Sequence, residues 1–225
     1  MIEKPRQRLL NCRTIFEENF LSKEAIKMNW AAGVVLFIFC SAPLFGAQRV
    51  CAVPGQGYFR IHVGTGGFFG AFAHDHSVEA KKIMGCATID ETDVTRSSIK
   101  LEFPSADIRV IDPKESQKDR AEVQRTMETE VLRVSEYPSI IFESTAVERT
   151  GDANRVRVRG NLTIRGKTLP VVIPLTLAHL EEGTYRATGE YRFKQSSFMI
   201  KPVQIAGGTV KVKDELETQF EIVLK

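Results

Sequence analysis

The side chains best suited to chemistry in this 225-residue chain stand three in a row, His74-Asp75-His76. In an extended segment alternate side chains point the same way, so His74 and His76 would share a face and could hold one metal ion. Two ligands do not complete such a site, and a third would have to come from His62, His179 or a carboxylate elsewhere. Hydrogen bonds that fix a turn, or contacts to the head group of a ligand, ask less of the sequence, and no metal is assigned. The chain has no Gly-x-Ser-x-Gly nucleophile elbow, no phosphate loop and no dinucleotide fingerprint. The expectation is a binding protein and not an enzyme, with no catalytic residue and no cofactor.

Charge narrows the partner. The chain carries 31 basic and 28 acidic residues; seven and four of these lie in residues 1–52, so the remaining 24 and 24 cancel. A neutral body lacks the electrostatic footprint of a nucleic-acid binder, and nucleic acid is excluded as a partner.

The frame for these residues is read from hydrophobic alternation, which is cleanest over residues 137–177. Val156, Val158, Gly160, Leu162 and Ile164 alternate with Arg155, Arg157, Arg159, Asn161, Thr163 and Arg165. Arg165-Gly166-Lys167 supplies a tight turn, and the apolar phase resumes at Leu169, Val171, Ile173, Leu175 and Leu177. Ile140, Phe142 and Ala146 precede them as a third strand. Strands with one dry and one wet face, joined by short turns, form an antiparallel meander. The first strand is read at residues 58–63, with Phe59, Ile61 and Val63 on one side. Shorter strands follow at 78–80 and 84–89, then one with Ile99, Leu101 and Phe103. Residues 64–73 mix aromatic side chains with Gly and Ala, which suits strands bending around a cavity. Strands at 185–194 and 216–224 close the count at roughly eight, the number at which a barrel holds one small ligand.

One segment, 105–136, breaks the alternation. Ser116 and Asp119 have capping-box spacing, and Val123 and Met127 would give a short helix one apolar side. This helix is expected as a lid or plug at one end of the barrel. Arg155, Arg157, Arg159 and Arg165 form a basic stripe on the outer face, for which Lys100, Glu102, Glu143 and Glu190 are neighbours; a transient contact with a membrane surface is one use for it.

Residues 1–52 are read as an N-terminal extension and 53–225 as the barrel domain. Residues 30–46 are the only long apolar run, short of the about 20 residues a membrane span needs but suited to a signal-peptide core. Cleavage points follow Ala47 or Ala52, with Val50-Cys51-Ala52 having the better small-residue spacing. The 27 residues before Met28 are long for a signal n-region, so either translation starts at Met28 or the segment stays as an anchor. An exported protein, periplasmic or extracellular, is expected. Cleavage after Ala52 leaves Cys86 alone as a small buried strand residue; cleavage after Ala47 allows a Cys51–Cys86 bridge.

Tyr137-Pro138-Ser139-Ile140-Ile141-Phe142-Glu143-Ser144 resembles the Tyr-Pro, Ile-x-Phe-x-Ser signature of the YceI-like family of exported, lipocalin-like, polyisoprenoid-binding proteins. Gly160-Asn161-Leu162-Thr163-Ile164-Arg165-Gly166-Lys167-Thr168 is similar to that family's hairpin. Gln195-Ser196-Ser197-Phe198 and Val210-Lys211-Val212-Lys213-Asp214-Glu215 extend the likeness, which runs from about residue 58 to 225. Two positions depart from the better-known members: Lys118-Asp119-Arg120-Ala121-Glu122-Val123 stands where they carry Arg-Asp-x-His, and Met199 follows Phe198 where many have glycine.

The resemblance implies a single antiparallel eight-stranded lipocalin-like β-barrel, all-β but for a short helical segment near one end, that holds a long isoprenoid or quinone-like chain. Side chains expected around the ligand are Phe68, Phe69, Phe72, His74, His76, Phe103, Met127, Leu132, Phe142, Val158, Leu162, Leu175, Tyr191 and Phe198. Burying about ten methylene equivalents at ~0.8 kcal/mol each supplies roughly 8 kcal/mol, near the micromolar level before ordering costs. The alternative is a filled barrel that serves stress response or protein interaction without a ligand, since alternation is identical in filled and hollow barrels.

Overall fold

Period-two alternation emerges as long antiparallel strands in a computed structural model, which describes residues 46–66, 75–113, 115–152, 154–181, 183–205 and 210–225. Eight strands close on themselves. In order around the barrel they are β1 (Gln48–Val63), β4 (Met84–Ile89), β5 (Ser98–Pro104), β7 (Ser139–Arg149), β8 (Arg155–Ile164), β9 (Lys167–His179), β10 (Tyr185–Lys194) and β13 (Glu215–Leu224), which returns to β1. Two short strands, β3 (His76–Ala80) and β6 (Ile108–Val110), continue the sheet beyond the second half of β1. A separate three-stranded patch joins β2 (Thr65–Gly66), β12 (Val210–Val212) and β11 (Gln204–Ile205).

Closure depends on β1. Its first residues pair with β4 (Val50 opposite Ala87, Cys51 opposite Cys86), its last with β3 (Ile61 opposite Val78), and its other edge with β13 (Phe59 opposite Phe220). The register with β13 shifts between Ala52 and Gly57. Gly57 makes that shift with φ of 82°, and a Cβ there would lie 2.1 Å from the Glu221 carbonyl oxygen. Only glycine fits. The strand therefore starts at Gln48, ten residues earlier than alternation suggests, and residues 48–52 belong to the barrel sheet. Cys51 is joined to Cys86 by a disulfide, so Cys86 is a half-buried cross-link and not the free buried thiol expected from cleavage after Ala52.

The β8–β9 turn follows the chemistry of its residues. Arg165 and Gly166 both have positive φ, 49° and 70°, as a two-residue type I′ hairpin requires. The Arg165 guanidinium donates to the Val131 carbonyl at 3.2 Å, tying the hairpin tip to the helical segment. That segment opens as its capping box predicts. Ser116 Oγ accepts from the Asp119 backbone N–H at 3.1 Å, and helix α1 (Gln117–Thr126) runs on through a wider turn at Met127–Val131.

Three buried clusters pack part of the interior. The largest, around Val50, Leu101, Phe103, Tyr185, Phe220 and Leu224, joins β1 to both its neighbours. Phe142, Val147, Val156, Val158 and Val171 form the second, and Ile164, Phe198 and Ile200 the third.

Two expectations arise from strain and charge. Met199, 71 % exposed, sits in the left-handed region with φ of 58°. Met199→Gly relieves about 1–2 kcal/mol of conformational cost and returns part of it as chain entropy. A net gain of about 0.5–1 kcal/mol should appear as a higher thermal midpoint. Tyr185 is buried and donates its hydroxyl to Glu91; burial first, then the carboxylate, push its pKa up to about 12. A phenol raised in the folded state contributes stability that is complete below its unfolded value, near 10, and is lost as pH climbs through about 12. Urea midpoints should therefore fall more steeply between those two pH values for the native chain than for Tyr185→Phe.

Candidate functional site

The inward positions of the strands are not filled along their whole length. A cavity of about 480 Å³ occupies one end of the barrel. Its wall uses the end of β1 (Ile61, Val63), the start of β7 (Ile140), the end of β8 (Ile164), the end of β10 (Phe193) and the start of β13 (Leu216). Antiparallel neighbours enter and leave at the same level, so these residues form one ring. Val78 of β3 and Ile108 of β6 extend it; Ile200, Val203 and Val212 add the loop side. The helical segment covers the ring with Val123, Thr126, Met127, Val131 and Leu132. Aliphatic side chains dominate, and the wall belongs to the solvent class that hydrocarbon prefers.

Polar groups gather at the helical side. Glu115, Asp119 and Glu122 border the cavity, as do Thr65, His76 and Gln195. His76 Nδ1 meets Asp112 Oδ2 at 2.9 Å, and Asp112 Oδ1 accepts the Ser77 backbone N–H at 2.7 Å. The imidazole thus fastens β3 to the chain leaving β6, with its Nδ1 as the donor to the carboxylate. Asp75 turns elsewhere. Its Oδ1 accepts the Thr65 backbone N–H at 2.7 Å and its Oδ2 lies 3.4 Å from His62 Nε2. The Thr65 N–H is the main cause of its lowered pKa. Among the described residues no three His, Cys, Asp or Glu side chains converge as metal ligands would.

The residues singled out from sequence divide into three groups. His76, Met127 and Leu132 border the cavity. Phe103, Phe142, Val158, Leu162, Leu175, Tyr191 and Phe198 lie in the packed clusters or against them and are not part of the cavity wall. Phe68, Phe69, Phe72 and His74 fall outside the described residues. The division has a physical cause. Alternation tells which face a side chain takes, whereas its height along the barrel axis depends on strand tilt and stagger. Ile61, Ile140, Ile164, Phe193 and Leu216 carried the inward signal, but nothing local set them at the hollow end. The carboxylates were overlooked because acidic residues on a short helix ordinarily face water.

The basic stripe on β8 is answered on the same surface. Arg159 pairs with Glu148, Arg157 lies 3.7 Å from that carboxylate, and Arg155 lies 3.5 Å from Asp152. Glu148 is held below the usual carboxylate range chiefly by its hydrogen bond from Arg159. Lys100 reaches Glu143 at 3.3 Å. These exposed pairs contribute little stability.

Comparison with known proteins gives concordant findings. The family model described as "YceI-like domain" matches residues 61–224. A UPF0312 protein of Pseudomonas aeruginosa is 30% identical over 149 residues, which covers 64% of this chain and 69% of that one. The protein YceI of Salmonella heidelberg is 28% identical over 120 residues, covering 53% and 54%. Among solved structures, BcnA of Burkholderia cenocepacia superposes with a TM-score of 0.61 at 20% identity, over 76% of this chain and 98% of that one. A polyisoprenoid-binding domain from Saccharophagus degradans, implicated in plant cell wall breakdown, gives 0.57 at 8% identity over 80% and 98%. At such identities the superpositions speak for the fold.

Proposed function

Because the chain belongs to the YceI-like family, whose domain occupies residues 61–224, we propose that it is an exported carrier holding the hydrocarbon part of an isoprenoid or quinone-like amphiphile in its barrel. One observation carries this reading: the apolar cavity of about 480 Å³ between the strand ends and the helical segment. At roughly 30 Å³ per water-sized group, that space takes about 16 non-hydrogen atoms, near three isoprene units. A longer chain would continue out through the mouth. The ligand-free alternative draws on the packed cluster around Phe142 and Val158, which does not line that cavity. Organic extraction of the purified chain followed by mass spectrometry separates the two. The carrier reading expects a chain-bearing amphiphile at close to one per protein, and micromolar binding of farnesol by the emptied protein. An empty extract together with no farnesol binding would overturn it.

Export is supported by the Cys51–Cys86 disulfide, since such bonds persist in oxidising compartments. Processing after Ala47 suits the barrel. Cutting after Ala52 would remove Cys51 and also Val50, which is 1 % exposed. Terminal sequencing of the protein recovered from outside the cytoplasm should begin at Gln48; a start at Val53 would contradict this placement.

A further inference from the structure

We propose that the cavity selects its ligand by head group, accepting a chain that ends in a protonated amine and turning away one that ends in phosphate. This rests on the carrier reading and adds the chemistry of the mouth. On α1 and at the start of the wider turn that continues it, the residues bordering the cavity are Asp119, Glu122, Val123, Thr126 and Met127. Their spacing is that of a single helical face. Along this stripe the side chains change from carboxylates in the first turns to apolar groups at the far end, so an amphiphile is aligned with its tail towards Met127 and its head towards Glu122. Glu115, just ahead of the helix, adds a third carboxylate.

Among the described residues none of these three carboxylates is in an ion pair, whereas nearby Asp112 is answered by His76 and Glu128 by Arg109. No Lys or Arg among the described residues borders the cavity. The start of α1 does not reverse this sign. Ser116 already caps it, and Asp119 in the first turn complements its dipole.

A second observation comes from another element. Gln195, in the turn after β10, lines the cavity while only 3 % exposed. Its Nε2 donates to the Lys213 carbonyl at 2.8 Å, which leaves the amide oxygen as the group still to be satisfied. No donor among the described residues meets that oxygen. No buried side-chain N or O among the described residues lacks a partner, so this oxygen is accessible and not sealed in the core, and an N–H on the ligand could take the place of water on it. Carboxylates and an amide oxygen all ask for hydrogen-bond donors. A phosphate brings acceptors and like charge.

The test compares one chain with three heads: farnesylamine, farnesol and farnesyl diphosphate, titrated calorimetrically into the full chain. Asp119 and Glu122 are exposed, so water and salt moderate the effect. Farnesylamine should bind roughly tenfold tighter than farnesol and farnesyl diphosphate roughly tenfold weaker, both differences shrinking as salt is raised. In a Glu115→Gln/Glu122→Gln variant, which keeps the capping Asp119, the spread should narrow, with the amine and the diphosphate both moving towards that variant's own farnesol affinity. Farnesyl diphosphate binding as tightly as farnesol, or a ranking that survives in the variant, would overturn the proposal. Farnesol binding with all three heads equal defeats the head-group selection alone; no binding of any of the three defeats the carrier reading with it.

Discussion

Tryptophan at both Val131 and Ile140 is expected to weaken farnesol binding by more than about 100-fold and to leave the barrel folded. Both side chains border the cavity, one from the helical segment and one from β7. The double substitution brings in about 13 additional non-hydrogen atoms, against room for roughly 16. Excluding as few as four methylene equivalents of ligand, at ~0.8 kcal/mol each, forfeits about 3 kcal/mol, which is more than 100-fold in affinity. The new rings enter open space, so the overpacking cost of about 1–3 kcal/mol that a filled core would impose does not arise. Val158→Trp supplies the contrast. Val158 is 5 % exposed within the packed cluster of Phe142, Val147, Val156 and Val171, and enlarging it should lower the thermal midpoint sharply. Calorimetry with farnesol and thermal unfolding of the variants read the two effects. Undiminished binding in the Val131/Ile140 variant would mean that the ligand sits elsewhere.

Loss of the Cys51–Cys86 bond should cost the fold roughly 3–4 kcal/mol. The cysteines are 35 residues apart, and tying a loop of that size removes chain entropy of this order from the unfolded ensemble. The bond secures the start of β1, where Val50 and Leu224 are each 1 % exposed and the Cys51 and Lys225 backbones exchange hydrogen bonds of 2.8 and 2.9 Å. Without it, this segment must be held by strand pairing and by the packing of Val50. Urea unfolding of the oxidised chain, the reduced chain and a Cys51→Ala/Cys86→Ala variant measures the difference. The reduced chain and the variant should agree with each other and fall short of the oxidised chain. Equal stability of all three would show that the bond is absent or idle.

Much of the barrel was legible in the sequence because its strands are wet on one face and dry on the other. Residues 155–177 give their pairing directly: alternation sets the faces, and Arg165-Gly166 sets the register through a turn that demands positive φ. The helix was legible through Ser116 and Asp119. The first half of β1 was not, for two reasons. Val50-Cys51-Ala52 has the small-residue character of a cleavage site, and the irregular stretch at Gly55 and Gly57 interrupts the alternation between its halves. The site was only partly legible. Met127 and Leu132 could be found from the helix, but Phe142 and Val158 carry the same inward signal as Ile140 and Ile164, although one pair sits in packed core and the other borders open space. Height along the barrel is a property of the closed sheet and is written in no single strand. Glu122 illustrates a further limit. Its place on the face of Val123 and Met127 was available from helical spacing, yet a carboxylate there is distinguished from a solvated one only once the cavity beside it is known.

The measurement that bears most directly on the hollow barrel is methyl NMR of the full chain during titration with farnesol. Binding inside the cavity predicts shifts and intermolecular nuclear Overhauser contacts at the methyl groups of Met127, Val131, Leu132, Ile140 and Ile164, with the Val158 methyls unmoved. Perturbation confined to outward-facing side chains such as Val172 and Leu180, with the cavity methyls silent, would contradict it.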